Sequence, residues 1–397
     1  MAQLSDRLNR LAPSATLAMS QKSNEMKAQG IDVINMSVGE PDFNTPEHIK
    51  AAGKKAIDDN YSKYSPVPGY LALRNAISEK LDKENHLQYN NKEIIVGTGG
   101  KQGVCNTILA LVNPGDEVII PAPYWVSYPQ MVKLAGGTPV IIRASFEQNF
   151  RITAKQLEEA ITPKTKMLIL CSPSNPTGSV YSQEELNELA KVVLSHEDLF
   201  VLSDEIYEHI NYIGKSASIA SYPGMKERTI ICNGVSKAYA MTGWRLGWVA
   251  APEWIVKGIN KLQGQYTSGT CDVSQMAALA AYQSSQECVE DMRKAFEKRR
   301  DLIVSLAREI PGLEVNVPEG AFYLFPKCSS FFDKSDGKTV INNSTDFAMY
   351  LLQEGHVATV GGDAFGDPDC FRMSYATSDD NIREAMRRIK EVTALLK

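Results

Sequence analysis

Five segments of the chain place polar and aromatic side chains directly behind short apolar runs. Gly97-Thr98-Gly99-Gly100-Lys101 follows Glu93–Val96, and Pro121-Ala122-Pro123-Tyr124-Trp125 follows Glu117–Ile120. Cys171-Ser172-Pro173-Ser174-Asn175-Pro176-Thr177-Gly178 follows Met167–Leu170, and Ser203-Asp204-Glu205-Ile206-Tyr207 follows Phe200–Leu202. Gly234-Val235-Ser236-Lys237 follows Thr229–Ile231. One such tail is ordinary loop polarity; five together read as one assembled site. A lysine at a buried strand end, such as Lys237, loses charge by desolvation, and its amine is freed for Schiff-base chemistry. A carboxylate near the core, such as Asp204, requires a cation. That role fits a counter-ion to a protonated heterocycle, and a helix N-cap is the plainer alternative. The glycine loop opens a helix and suits a phosphate through its N–H groups and the helix dipole. It is neither a dinucleotide fingerprint, since Gln102 stands where the third glycine is needed, nor a nucleoside-triphosphate loop, since Lys101 is not followed by Ser or Thr.

The elements that must hold these residues are legible as an alternation. The runs Glu93–Val96, Glu117–Ile120, Pro139–Ile142, Met167–Leu170, Phe200–Leu202, Thr229–Ile231 and Leu246–Ala250 are strand-sized, and helical patterns such as Gln102–Leu111, Ser182–Leu194 and Glu253–Gln263 lie between them. This predicts a parallel sheet covered on both faces, with ligands beyond the carboxyl ends of its strands. From Cys288 the pattern changes to a long charged helix, then strand-like segments at Leu313–Val317, Ala321–Phe325 and Phe371–Ser374, with helices near Ser344–Glu354 and Asp379–Leu396. The expected organisation is an N-terminal segment, residues 1–42, packing with a small domain; a large domain, 43–285; and a small α+β domain, 286–397.

The chain has 397 residues, 43% hydrophobic and 22% charged, with net charge -5, ordinary for a globular protein. No basic stripe points to nucleic acid. No apolar run approaches the roughly 18 residues of a membrane helix, and Met1–Arg10 lacks the apolar region of a secretory signal. The seven cysteines are scattered without a CxxC pair, and the five histidines form no HxxxH pair. Neither disulfides nor a metal centre is expected, and the chain reads as cytoplasmic.

Asn175-Pro176-Thr177-Gly178, Ser203-Asp204-Glu205-Ile206-Tyr207, and Ser236-Lys237 with Thr242-Gly243-Trp244-Arg245-Leu246-Gly247 resemble, in order and spacing, the class I aminotransferases dependent on pyridoxal phosphate (fold type I). The resemblance runs from Pro13-Ser14-Ala15-Thr16 and Gly39-Glu40-Pro41-Asp42-Phe43 to Arg372-Met373-Ser374-Tyr375-Ala376. It implies a large, mostly parallel seven-stranded sheet domain and a smaller α+β domain. Gly100-Lys101-Gln102 and Tyr124-Trp125-Val126-Ser127-Tyr128 are similar to the prokaryotic and plastid subgroup, which contains aspartate and prephenate aminotransferases.

The resemblance implies that Lys237 carries the cofactor as a Schiff base and then moves the proton in a ping-pong reaction. It implies that Asp204 pairs with the pyridinium nitrogen, that Asn175 and Tyr207 hydrogen-bond the phenolic oxygen, and that Trp125 stacks on the ring. Ser236, Arg245 and the Gly99-Gly100-Lys101 loop bind phosphate; arginine's planar fork suits that anion. Tyr64 reaches the phosphate of a neighbouring subunit, so a homodimer with shared sites is implied. Arg372 and Gly39 take the substrate α-carboxylate, with Trp125 and Asn175 beside it; Lys101, Ser14 and Thr16 take a distal carboxylate. Aspartate or glutamate, with 2-oxoglutarate or oxaloacetate, then become the substrates, and prephenate is the alternative. Ala122-Pro123 and Asn175-Pro176 are expected cis. Val360-Gly361-Gly362-Asp363 departs from the subgroup, which more often carries proline within this run near the site entrance. A β-lyase or cyclopropane-carboxylate synthase would keep fold and cofactor but need no oxo acid. A nicotinamide dehydrogenase lacks its third glycine here, and a non-catalytic sensor would not need the lysine, aspartate and arginine positions filled.

Overall fold

The computed structural model describes residues 4–397. Seven strands form one sheet: β1 (Ile94–Gly97), β2 (Glu117–Ala122), β3 (Thr138–Arg143), β4 (Thr165–Cys171), β5 (Phe200–Asp204), β6 (Thr229–Gly234) and β7 (Gly247–Ala250). Their spatial order is β1-β7-β6-β5-β4-β2-β3. Side chains alternate between two covered faces, as a buried parallel sheet requires. Met167 and Ile169 of β4 join one core with Val118, Ile120 and Leu202, while Leu168 and Leu170 join another with Ile119 and Val201.

β7 runs antiparallel to both of its neighbours, so the sheet is mostly parallel, as the resemblance implies. Residues 235–246 contain only one 3₁₀ turn, Thr242–Trp244. A parallel return needs a longer crossover, usually a helix, so this short connection folds the chain straight back. Helices Glu47–Asp58, Leu71–Asn85 and Asp272–Gln283 cover the face near β1 and β7 through Ile49, Leu73, Ile77 and Ala278.

The C-terminal part begins at helix Glu287–Arg308. Its sheet has Phe371–Ser374 in the centre, antiparallel to Val360–Gly361 on one side and Tyr323–Leu324 on the other. Phe296, Phe322, Phe331, Phe347 and Phe371 fill its core. Segment Leu313–Val317 forms a single bridge, Glu314 to Lys327, rather than a strand; Pro318 follows it and cannot donate to a ladder. Ile34–Asn35 pairs in parallel with Val357–Ala358, and Ser374 N donates to Met36 O at 2.8 Å. The N-terminal segment thereby runs beside the strand that carries Arg372.

Candidate active site

β4, β5 and β6 are in direct register, with Cys171 opposite Asp204 and Asp204 opposite Cys232. Their carboxyl ends therefore deliver three turns to one place. A cavity of about 380 Å³ opens there, lined by Asn175, Asp204, Tyr207, Ser236 and Lys237 from these turns. Trp125 from the turn after β2, Gly100 and Lys101 from the turn after β1, and Arg245 before β7 complete that side. Ser14, Thr16 and Gly39 of the N-terminal segment, with Arg372 and Tyr323 of the C-terminal part, line the other. Gly99 sits just behind Gly100, and Tyr64 lies outside the cavity with a fully exposed side chain.

The peptide bonds before Pro123, Pro173 and Pro176 are cis. Asn175 is buried, and its Oδ1 accepts from an Arg372 terminal nitrogen at 2.8 Å. The other Arg372 terminal nitrogen donates to Ser37 O at 2.5 Å. Arg372 Nε is buried without a hydrogen-bond partner. The guanidinium lies between Tyr323 and Phe365, 4.6 and 4.9 Å from their ring centres. Two aromatic faces stabilise and orient the cation without using its donors. Phe365 is thus how the departing Val360–Asp363 loop reaches the site. Gly361 itself packs against the backbone of Ser344 and Thr345, which a Cβ would meet at 2.8 to 2.9 Å.

Asp204 accepts from Tyr128 Oη at 2.6 Å and from Ile206 N at 3.3 Å. Both donors are neutral. Burial pushes its carboxyl up to about 6, against these hydrogen bonds and the charge of Lys237. Lys237 Nζ donates to Gly39 O at 2.6 Å. Burial brings its amine down to about 8; Arg372 and Arg245 act in the same direction, while Glu40 and Asp204 oppose it. Tyr207 Oη hydrogen-bonds Tyr323 Oη at 2.7 Å, 5.8 Å separates Lys237 Nζ from the Tyr207 ring centre, and burial drives the Tyr207 phenol well above its ordinary range.

At the anion end, helix Gly100–Leu111 starts after Gly99, whose φ is +79°. A Cβ on Gly99 would lie 2.5 Å from the Arg245 guanidinium, and one on Gly247 would lie 2.2 Å from Gly100 N. Glycine at both positions lets a guanidinium and the first N–H groups of a helix share one corner, an arrangement suited to a phosphate. Arg245 is anchored through Thr242 O at 2.8 Å. Lys101 Nζ lies 5.0 Å from the Trp125 ring centre; burial and then Arg245 lower its amine. Ser14 caps helix Ala15–Ala28, which brings Ser14 and Thr16 to the cavity on one helical start.

Residues 31–389 match the model of the family "Aminotransferase class I and II". The chain belongs to the class I and II aminotransferases. It is 49% identical, over 99% of both chains, to the aspartate/prephenate aminotransferase of Cereibacter sphaeroides. It is 47% identical to a bifunctional aspartate aminotransferase and glutamate/aspartate-prephenate aminotransferase of Petunia hybrida, over 99% of this chain and 83% of that one. The aspartate aminotransferase structure from Rhizobium meliloti superposes with a TM-score of 0.97 at 42% identity, covering all of both chains. That of Thermus thermophilus with maleate gives 0.93 at 40%, over 99% of this chain and all of the other.

Three residues of this aminotransferase's site escaped the sequence reading. Tyr128 stands one helical turn beyond Trp125, a spacing that puts both on one side, but nothing local tells its partner is Asp204. Tyr323 sits in an apolar strand and reads as core. Ser37 contributes a carbonyl, which has no side-chain signature at all. Among the described residues no group of His, Cys, Asp or Glu is arranged to hold a metal, no helix is long and apolar enough to cross a membrane, and all seven cysteines are free.

Proposed function

We propose that this aminotransferase uses pyridoxal 5′-phosphate on Lys237 to move the amino group between L-aspartate or L-glutamate and 2-oxoglutarate or oxaloacetate. The observation that carries the reading is the convergence of Lys237, Asp204, Asn175, Tyr207 and Arg372 on one cavity. The residues fit the cofactor's chemistry at each end. Asp204 is a buried carboxylate whose hydrogen-bond donors are neutral, and it suits a pyridinium cation. Ser236, Arg245 and the N–H groups after Gly99 suit the phosphate, Trp125 offers an aromatic face, and Asn175 and Tyr207 can donate to the phenolic oxygen. When bound, the cofactor's protonated ring takes up the electron pair released at the substrate's α-carbon.

The protein's own part is then to bind, orient and move a proton. Arg372 receives the α-carboxylate: its buried unpartnered Nε is the donor still available to that anion. Gly39 O holds Lys237 Nζ, so the amine is positioned before substrate arrives. With its amine near neutrality, Lys237 can both take and return the proton at the α-carbon at physiological pH. Lys101, Ser14 and Thr16 supply a cation and two hydroxyls for a distal carboxylate. The Thermus relative solved with maleate, a dicarboxylate, supports that class of substrate. Prephenate also carries two carboxylates, and the name of the Cereibacter relative favours it as the second substrate.

We read the fully exposed Tyr64 as serving the phosphate of a second copy, so the working form is a homodimer. Free cysteines suit a reducing cytoplasm. The strand pairing of Ile34–Asn35 supports grouping the first 42 residues with a 286–397 small domain, and the seven-stranded sheet supports a 43–285 cofactor domain.

The test is visible absorption of the purified protein beside Lys237→Ala. A band that bleaches with L-aspartate and returns with 2-oxoglutarate is the expected result. A wild type without such a band after adding the cofactor, or turnover by Lys237→Ala at the normal rate, overturns the reading. Bleaching by aspartate without an oxo-acid requirement for turnover would mean a lyase instead.

A further inference from the structure

Behind the cavity lies a second cluster of charged groups that none of the roles above uses. Glu208 and Lys80 are both buried, their side chains 6% and 3% exposed, and form an ion pair. Lys80 Nζ also donates to Asn85 Oδ1 at 2.8 Å and lies 3.5 Å from Glu84 Oε2. Asn85 Nδ2 donates to Glu208 Oε2 at 2.9 Å, and Asn233 Nδ2 donates to Glu208 Oε1 at 2.6 Å. His209 bonds Glu84 at 2.9 Å, with its other ring nitrogen 3.6 Å from Glu208. Glu205, the remaining carboxyl of this turn, accepts from Ser203 and Ser218 at 2.8 and 2.6 Å.

The connectivity matters more than the charges. Glu208 follows Tyr207 directly in the chain. Asn233 uses its amide twice: Nδ2 donates to Glu208, and Oδ1 accepts from Gly234 N at 2.7 Å. Gly234 opens the turn that ends at Ser236 and Lys237. One carboxylate thus couples the turn carrying Tyr207 to the turn carrying Lys237, while helix Leu71–Asn85 holds it in place. Lys80, Asn85 and Asn233 present only donors to its two oxygens. A carboxylate satisfies all three; an amide would turn its NH₂ toward a donor whichever way it flipped.

We propose that Glu208 is a positioning residue for the reaction, setting Lys237 against Tyr207 through Asn233 without touching cofactor or substrate. The proposal rests on Lys237 being the cofactor lysine. The charges acting on Lys237 are those of Glu40, Arg372, Arg245 and Asp204, and substitution at Glu208 removes none of them, so altered behaviour of the lysine reports its placement. A small displacement at the reacting groups costs rate rather than affinity.

The experiment compares holoenzymes of wild type, Glu208→Gln, Asn233→Ala and Leu81→Ala. Leu81 is a buried neighbour on the same helix outside the network and controls for lost stability. Glu208→Gln and Asn233→Ala are expected to lower kcat by about tenfold with KM for the amino acid moving less than about twofold. Both should also shift the pH midpoint of the lysine-bound cofactor's absorption by at least about half a unit. Leu81→Ala should lower the melting temperature and leave that midpoint at the wild-type value. Should Glu208→Gln not accumulate, Asn233→Ala decides alone, because it keeps the ion pair. Midpoints in the network variants equal to wild type, or a shift of equal size in Leu81→Ala, overturn the proposal. A wild type with no absorption band would instead sink the cofactor reading beneath it.

Discussion

Asp204 and Glu208 lie four residues apart on one turn, are both buried, and are electrostatic opposites. Burial raises Asp204 to about 6, and its neutral hydrogen-bond donors and Lys237 do not offset it. Burial also opposes the charge on Glu208, but Lys80 and His209 outweigh it and hold that carboxyl down to about 2. The first carboxylate faces the cavity and gains full compensation only from a cationic ligand. The second is completed by its own chain. An ion pair finished within the fold is architecture; a buried charge left unfinished at a cavity is a binding site. Arg372, stacked between two rings with Nε unpartnered, belongs with Asp204 on that criterion.

The largest effect that tests the contrast is expected from the two lysines. On the proposed role of Lys237 as attachment point and proton carrier, turnover of aspartate with 2-oxoglutarate by Lys237→Ala should fall by more than about 10⁴-fold with little loss of stability. Lys80→Met should act chiefly on stability, with a far smaller loss of turnover. It strands Glu208 as an uncompensated buried charge, at a cost of about 3–5 kcal/mol measured by chemical denaturation. If Lys80→Met left stability unchanged, the back network would not be the finished ion pair described here.

The carboxylates sharpen the same comparison. Asp204→Asn should lower kcat by about 10²- to 10³-fold, the usual cost of deleting one electrostatic stabiliser, yet stabilise the cofactor-free protein at pH 7. The sign follows from linkage. A folded pKa of about 6 against 3.8 unfolded means that the fold holds the proton more tightly. Ionisation therefore costs stability as pH rises through that window, and the neutral amide escapes the cost. Melting curves of the cofactor-free variants between pH 4 and 7 check this, and a lower melting temperature for Asp204→Asn at pH 7 would contradict it.

A smaller effect concerns pH. Lys237 is brought to about 8, so its neutral, nucleophilic form falls about tenfold for each pH unit below that value. Capture of added cofactor by the cofactor-free protein should accelerate as pH rises through 8 and level off above it. Stopped-flow absorbance gives the profile, and a rate still climbing steadily toward pH 10 would mean an ordinary lysine.

These contrasts also mark what the sequence could reveal. Each strand of the large sheet was legible, because a buried strand is a short apolar run bounded by turns, and the polar tail behind it is conspicuous. Lys237 and Asp204 could be picked out for that reason, and Asn175 through the family resemblance of Asn175-Pro176-Thr177-Gly178. The direction of β7 was not legible, since an apolar run reads alike in either sense and only the length of the loop before it decides. Three helices passed without notice: Leu71–Asn85 and Asp272–Gln283 have weak apolar stripes, and Glu47–Asp58, though amphipathic, precedes the strand–helix alternation. With them went Lys80, which looks like any surface lysine until the fold buries it against Glu208. Tyr128 and the Ser37 carbonyl act through contacts across 76 and 335 residues of chain, and no local pattern encodes such a pairing.

The smallest expected effect separates the two carboxylate sites. Arg372 is fully buried, whereas Lys101 is only partly desolvated and keeps much of its surface in solvent, so Lys101 works against water and is worth less. Lys101→Met should lower kcat/KM for aspartate by about fivefold to tenfold, and leave that for a monocarboxylic amino acid such as alanine within about twofold. Arg372→Lys should depress both substrates together, because both carry the α-carboxylate and lysine lacks the planar fork and the stacking between Tyr323 and Phe365. Steady-state kinetics of the two variants on the two substrates give four ratios. If Lys101→Met lowered alanine and aspartate equally, Lys101 would be acting through Trp125, whose ring its ammonium already faces, rather than through a distal carboxylate.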